Sequence, residues 1–151
     1  FINYTLFNML NFLKKIFKKK DQEKETVSDI NLACAIILLE VSYSDFEIKE
    51  VETDKMLKFF ETDLNLSKDK SIWLNEEAQK LHKDTNCLRK YIKLINDSYT
   101  KEEKVNLINI AWRIARADNE IDKYEEHRIR KISELLYLNH SDFIKEKINT
   151  N

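Results

Sequence analysis

The chain has 151 residues and a formal net charge of −1, and this length is typical of a single domain. It contains no glycine and no proline, which excludes glycine-rich phosphate loops and the G-x-S-x-G nucleophile turn and disfavours tight hairpins. With 35% charged and 42% hydrophobic residues, the composition is that of a soluble globular chain and favours helices.

The N-terminal segment, residues 1–25, is predicted to form a basic amphipathic helix followed by a linker. Residues 1–20 contain five lysines and no acid, and apolar side chains such as Phe12 and Phe17 recur among them at helical spacing. Asparagines interrupt the apolar run, which is too short to span a bilayer. Such a helix binds the surface of an anionic membrane, although it can also dock on its own domain. We expect peripheral membrane contact through residues 9–20, whose lysines are Lys14, Lys15, Lys18, Lys19 and Lys20.

Beyond residue 20 the chain is mildly acidic, with 21 Lys+Arg against 27 Asp+Glu. Because nucleic-acid affinity comes mainly from cations that neutralise phosphates, no nucleic-acid partner is expected. Cys34 and Cys87 show no C-x-x-C spacing, so we predict neither a zinc site nor a disulfide framework and expect a cytoplasmic location. Cys34 lies in an apolar run and is predicted to be a small core residue.

Residues 26–151 are predicted to form one helical domain. Its first helix is apolar on nearly every face from Leu32 to Val41, so we expect it at the centre of the fold. Thr100 and Asp122 each precede a glutamate by three residues, and both pairs form predicted capping boxes. No stretch shows sustained strand alternation, so the fold is predicted to be all-α. Seven helices are predicted to begin near residues 28, 48, 67, 84–86, 100, 122 and 139–141.

One segment of the sequence occurs twice. Residues 38–52 (LLEVSYSDFEIKEVE) align with residues 111–125 (AWRIARADNEIDKYE) at an offset of 73. Each copy places the motif D-x-E-I-x-x-x-E between an apolar helix and an amphipathic helix. We expect two such units to pack about a pseudo-twofold axis, with the apolar helices against each other. Glu40 and Arg113 occupy corresponding positions in these helices and are predicted to pair, which would specify packing rather than chemistry.

The repeated motif gathers carboxylates at a turn, where Ca²⁺, Mg²⁺ or Mn²⁺ find oxygen ligands. The candidate ligands are Asp118, Glu120 and Glu125 in the second copy and Asp45, Glu47 and Glu52 in the first. If the copies pack symmetrically, these side chains share one acidic face that suits a cation or a basic partner. Carboxylates at helix starts are also expected from capping and the helix dipole alone, and the spacing is not that of an EF-hand.

The sequence offers no catalytic constellation. His82, His127 and His140 lack the paired spacing of metal ligands and are expected at the surface. No Ser/His/Asp or Cys/His arrangement can be nominated from the spacing, so we expect a protein that is not an enzyme.

The repeated pattern resembles the tellurite-resistance TerB family, whose signature is an apolar helix ending in an A-D-G-E-I-D-x-x-E-like turn, present twice. Residues 114–136 (IARADNEIDKYEEHRIRKISELL) are close to that signature, and residues 90–112 resemble the connector that precedes it. The resemblance covers residues 30–149 and implies an all-helical domain of about seven helices, related to the N-terminal domain of the DjlA co-chaperone. It also implies a non-enzymatic module associated with metal binding, membrane-linked complexes and stress or phage-defence systems.

The sequence departs from this family at the turn glycine. Asn119 replaces the glycine in the second copy, and Phe46 replaces it in the first. Asparagine tolerates the left-handed backbone conformation better than phenylalanine does. The first copy also has Lys49 where the second has Asp122, which removes one carboxylate and the capping box. We call the motif-bearing turn of each copy an acidic corner. The second acidic corner is therefore the stronger candidate ligand site.

Together these features predict a cytoplasmic TerB-like module, peripheral to the inner membrane surface, that acts in a stress response. Its duplicated acidic turns are predicted to bind a divalent cation or a basic protein partner. The alternative is a metal-free helical scaffold or oligomerisation domain that acts through a protein–protein interface.

Overall fold

A computed structural model describes residues 28–42, 49–84, 88–117, 119 and 121–150. Within these ranges the chain forms seven helices and no strand, which confirms the predicted all-α fold. The predicted N-terminal helix and its boundary with the domain lie outside them. The helices are α1 (Asp29–Ser42), α2 (Glu50–Thr62), α3 (Lys68–Asp84), α4 (Arg89–Ser98), α5 (Lys101–Ala115), α6 (Lys123–Leu135) and α7 (His140–Asn149).

Local capping chemistry determines where several helices begin. At α5, the Thr100 hydroxyl accepts the N–H of Glu103 at 3.2 Å, and the Glu103 carboxylate accepts the N–H of Thr100 at 2.8 Å. At α3, the Ser67 hydroxyl accepts the N–H of Lys70 at 3.3 Å. These bonds satisfy amide groups that have no partner inside the helix, and the capping box predicted at Thr100 is confirmed.

Helix α1 occupies the centre of the fold. From Ala33 to Val41 every residue except Glu40 is buried, because α1 packs on each of the helices α2 to α6. A helix that is apolar on all sides needs such surroundings. The predicted central position of this helix is confirmed.

The two copies of the repeat fold alike. Helices α2 and α6 begin 73 residues apart and end 73 residues apart, and the ends of α1 and α5 are separated by the same number. The apolar helices α1 and α5 pack against each other, as predicted. The second helix of each copy packs on the first helix of the other copy: α6 packs on α1, and α2 packs on α5. This reciprocal pattern is what a pseudo-twofold arrangement requires.

Cys34 belongs to the core, as predicted. Its side chain is inaccessible to solvent, and its thiol donates a hydrogen bond to the hydroxyl of Tyr99 at 3.1 Å. Burial raises the pKa of the Cys34 thiol to about 11, so the thiol remains protonated at neutral pH. A protonated buried thiol is a poor nucleophile, and the role of Cys34 is packing.

Candidate functional site

The second acidic corner connects α5 to α6 through residues 116–122. Helix α5 ends where the N–H of Arg116 donates to the Trp112 carbonyl at 3.0 Å, and the N–H of Asn119 then donates to the Arg116 carbonyl at 2.9 Å. Asn119 has φ 63°, the left-handed conformation that asparagine tolerates better than most non-glycine residues. Asn119 therefore takes the place of a turn glycine here, as expected.

Asp122 and Glu125 form the start of α6. Asp122 Oδ1 accepts the N–H of Tyr124 at 2.9 Å, and Glu125 Oε2 accepts the N–H of Asp122 at 3.3 Å. The predicted capping box is therefore present. The Glu125 side chain is buried, with 3% exposure, and the backbone bond and the positive end of α6 stabilise its charge. Both carboxylates have a structural role at this corner.

The first acidic corner places a glutamate in the same way. Glu52 is the third residue of α2, as Glu125 is of α6, and its side chain is 2% exposed. Lys49 precedes α2 at the position that Asp122 holds before α6. A lysine side chain has no acceptor for a backbone N–H, so the capping box of the second corner has no counterpart here, as predicted.

The other predicted cation ligands lie outside the described ranges; they are Asp45, Glu47, Asp118 and Glu120. In the part of the chain that the structure describes, no group of three or more His, Cys, Asp or Glu side chains could hold a metal ion. The six-carboxylate site therefore stays a prediction, and Glu52 and Glu125 are its two described members.

The predicted membrane-binding segment also lies outside the described ranges, with its lysines at positions 14–20 and the side chains of Phe12 and Phe17. None of the helices α1 to α7 has the length and apolarity needed to cross a membrane.

The predicted pair between Glu40 and Arg113 is wrong. Glu40 Oε2 lies 2.7 Å from His82 Nε2 on α3, and the Glu40 carbonyl accepts a hydrogen bond from Arg128 on α6 at 2.9 Å. Arg113 is exposed and lies beside Lys55 of α2. The reason is that the first helix of each copy packs on the second helix of the other copy. Glu40 on α1 therefore faces α6, whereas Arg113 on α5 faces α2, so the two side chains point apart.

His82 differs from its predicted surface position. Its side chain is only 12% exposed, and it contacts Glu40, whose side chain is 32% exposed, where α3 packs on α1. The hydrogen bond with His82 lowers the pKa of Glu40, and the charges of Arg128 and Lys131 act in the same direction. The sequence contains no local signal for this pair, whose members are 42 residues apart.

The Glu40→Gln variant should show a smaller loss of stability in acid than the wild-type chain. Because the pKa of Glu40 is lower in the folded state than in the unfolded state, its contribution is present above the ordinary glutamate pKa of about 4.3 and is lost as the pH falls through the folded pKa. Urea unfolding between neutral pH and about pH 3 measures this difference.

The matched control is Glu77→Gln, since Glu77 forms only an exposed contact of 3.9 Å with Lys80. This control should keep the wild-type dependence on pH. If Glu40→Gln and wild type lose stability equally in acid, the assigned role of the Glu40–His82 contact is wrong.

A cleft that the sequence does not indicate lies between α4 and α6. Its volume is about 920 Å³, and Glu40 of α1 contributes to its lining. The lining comes from three helices that are distant in sequence, so no local motif identifies the cleft. One indirect signal is the amphipathic character of α4, which buries Tyr91, Ile92 and Ile95 and leaves its other side to solvent.

The repeated helix pairs and their acidic corners define an all-helical, internally duplicated class of domain. The chain belongs to the TerB family: the family model described as "Tellurite resistance protein TerB" matches residues 31–148. No curated protein and no solved structure gives a significant match.

Proposed function

We propose that this chain is a non-enzymatic TerB module of a tellurite-resistance-type stress response, and that its two acidic corners bind a divalent cation. Calcium, magnesium and manganese are the candidate ions, because carboxylate oxygens are the ligands that these hard cations prefer. The observation that carries the proposal is the matched position of Glu52 and Glu125, each buried as the third residue of its helix.

The burial of these two glutamates supports a ligand role beyond capping. Removing a carboxylate from water is costly unless opposite charge or hydrogen bonds compensate. At α5 the corresponding capping glutamate, Glu103, performs its role while exposed. Burial of Glu52 and Glu125 is therefore a feature that the two corners share rather than a requirement of capping. Hydrogen bonds such as the one that Glu125 accepts from the Asp122 N–H compensate its cost, and the matched burial supports a common ligand role. A basic partner is the alternative ligand for the same carboxylates.

The test compares Glu125→Gln with the wild-type chain during titration with CaCl₂, MgCl₂ or MnCl₂. Glutamine keeps the capping bond to the Asp122 N–H but removes the charge. A cation at a hundredfold excess over its Kd should raise the wild-type melting temperature by roughly 5–10 °C. The Glu125→Gln variant should lose most of that rise. Differential scanning calorimetry measures both.

Glu103→Gln is the matched control, because it makes the same substitution at the third position of α5, away from the corners. It should keep the full response to the cation. An unchanged wild-type melting temperature with all three salts would contradict the proposal and favour the metal-free scaffold. An equal response of the Glu125→Gln and wild-type chains would place the cation elsewhere.

We also propose a cytoplasmic location with contact to the inner membrane surface through residues 9–20. The support is the sequence pattern, in which lysines cluster between and after apolar residues over about three helical turns. The full chain should sediment with vesicles that contain anionic lipid, and a chain without residues 1–20 should remain in the supernatant. Vesicles of neutral lipid are the control, and equal sedimentation of the two chains would contradict membrane contact.

A further inference from the structure

The cleft between α4 and α6 is a groove that runs along α4. Both helices pack on α1 but make little contact with each other, so a channel stays open above Glu40 of α1. On the α4 side, Leu88, Ile92 and Asn96 follow one another at intervals of four residues. This spacing places them on one face over about 12 Å. A groove of that length accommodates two to three turns of a helix.

The opposite side of the cleft presents apolar side chains to solvent. Leu135, the last residue of α6, is 43% exposed, and Tyr137 is 82% exposed. At the closed end, the Asn96 side chain donates to the Leu135 carbonyl at 3.0 Å. Ile92 lies beneath with 6% exposure. The cleft therefore presents apolar side chains on both of its sides.

Tyr137 occupies a backbone position that favours glycine. Its φ is 59°. Helix α6 ends in a Schellman arrangement, in which the N–H of Leu138 donates to the Ser133 carbonyl and the N–H of Tyr137 donates to the Glu134 carbonyl, each at 3.0 Å. A non-glycine residue there costs on the order of 1–2 kcal/mol. The ring is exposed, so burial within the domain offsets little of that cost, although Lys104 Nζ lies 6.0 Å from the ring centroid.

The charges along the cleft are unbalanced. Lys93 pairs with Asp97 at 2.6 Å, and Glu40 contacts His82 at 2.7 Å. Arg89 and Lys131 also line the cleft, and neither forms an ion pair with another residue of the described ranges. The charge of Lys131 also acts on Glu40, so the lining carries three cations against two carboxylates, an excess of one positive charge.

We propose that this cleft binds an acidic amphipathic helix of a partner protein. The apolar face of that helix would cover Ile92, Leu135 and Tyr137, and its carboxylates would contact Arg89 and Lys131. An amphipathic helix in a groove uses apolar anchors at every third or fourth position, and complementary charge selects the acidic class. None of the described residues that line the cleft belongs to the acidic corners, so this inference does not rest on the proposed cation site.

The other copy of the repeat supplies a matched control. Lys58 on α2 precedes Lys131 by 73 residues and lines the corresponding depression between α2 and α5, beside Lys55 and Arg113. That depression measures only about 110 Å³, because no counterpart of α4 flanks it in the described part of the chain. A basic surface without a groove is therefore available in the same molecule.

The experiment titrates the isotope-labelled full chain with an end-capped peptide of about 14 residues, monitored by amide NMR. The peptide carries leucines at every third or fourth position and glutamates beside them; a second peptide replaces the glutamates with lysines. The acidic peptide should shift the amides of α4 and of residues 131–138. The double variant Arg89→Glu, Lys131→Glu should weaken its binding at least about tenfold, and Lys58→Glu should leave it unchanged.

Tyr137→Gly separates binding from folding, because glycine is the preferred residue at that backbone position. This variant should remain folded and bind the acidic peptide at least about tenfold more weakly. Absence of shifts at millimolar peptide, equal binding of the basic peptide, or equal binding by the Tyr137→Gly variant would overturn the proposal. A concentration-dependent dimer through the same residues would also overturn it, by assigning the cleft to a second copy of the chain.

Discussion

Trp112→Ala should lower the free energy of unfolding by about 3–5 kcal/mol, the range for truncation of a large buried aromatic side chain. Trp112 is inaccessible to solvent, and its ring lies 5.3 Å from the ring of Phe143. This contact is part of the packing of α7 on α5. Truncation leaves a cavity at that junction, so α7 should lose its protection first. Urea unfolding gives the free energy, and hydrogen exchange gives the local effect.

Trp112→Phe is the control for this change, because it keeps most of the ring volume. It should cost much less than Trp112→Ala, since the residual cavity is smaller. If the two substitutions cost the same, then packing at Phe143 is not what Trp112 contributes to the fold.

Phe60→Ala should be similarly severe, with a loss of about 3–5 kcal/mol. Phe60 is fully buried on α2 and lies 5.7 Å, ring to ring, from Phe59. It fixes the helix that carries Glu52, so the first corner should loosen together with α2. Urea unfolding measures the total loss, and the cation titration shows whether the first corner contributes to binding.

The control for Phe60→Ala is Val51→Ala, on the same helix at a position that is 45% exposed. Exposed substitutions away from specific contacts usually change stability by less than about 0.5 kcal/mol. A large loss at Val51, or a small loss at Phe60, would contradict the assignment of the buried face of α2.

The features that the sequence predicted correctly are local or repeated. The capping boxes at Thr100 and Asp122 involve atoms three residues apart, so their chemistry is visible in a short window. Asn119 stands where the backbone is left-handed, a conformation that asparagine tolerates. The internal repeat predicts contacts between residues that are distant in sequence, since two similar halves must bury similar apolar faces. The repeat alone predicts the contact between α1 and α5.

The features that the sequence did not reveal depend on distant packing. Glu40 and Arg113 match in the alignment, yet equivalent positions meet only where they lie close to the symmetry axis. His82 has no motif around it, and its contact with Glu40 follows from how α3 crosses α1. The positive φ of Tyr137 has no signal in the sequence, because an aromatic residue does not indicate that conformation, whereas glycine or asparagine would indicate it. The cleft requires the relative placement of three helices.

The crossed packing of the two copies has a consequence for the origin of the domain. A single helix pair of this kind would leave uncovered the side of its first helix that meets the second helix of the other copy. Two separate chains could cover these exposed helix sides for each other in the same reciprocal way, as in a symmetric homodimer. Joining both copies in one polypeptide removes the dependence of such pairing on protein concentration. It also frees each copy to diverge, and in the described residues the depression beside α6 is about 920 Å³ whereas its counterpart beside α2 is about 110 Å³.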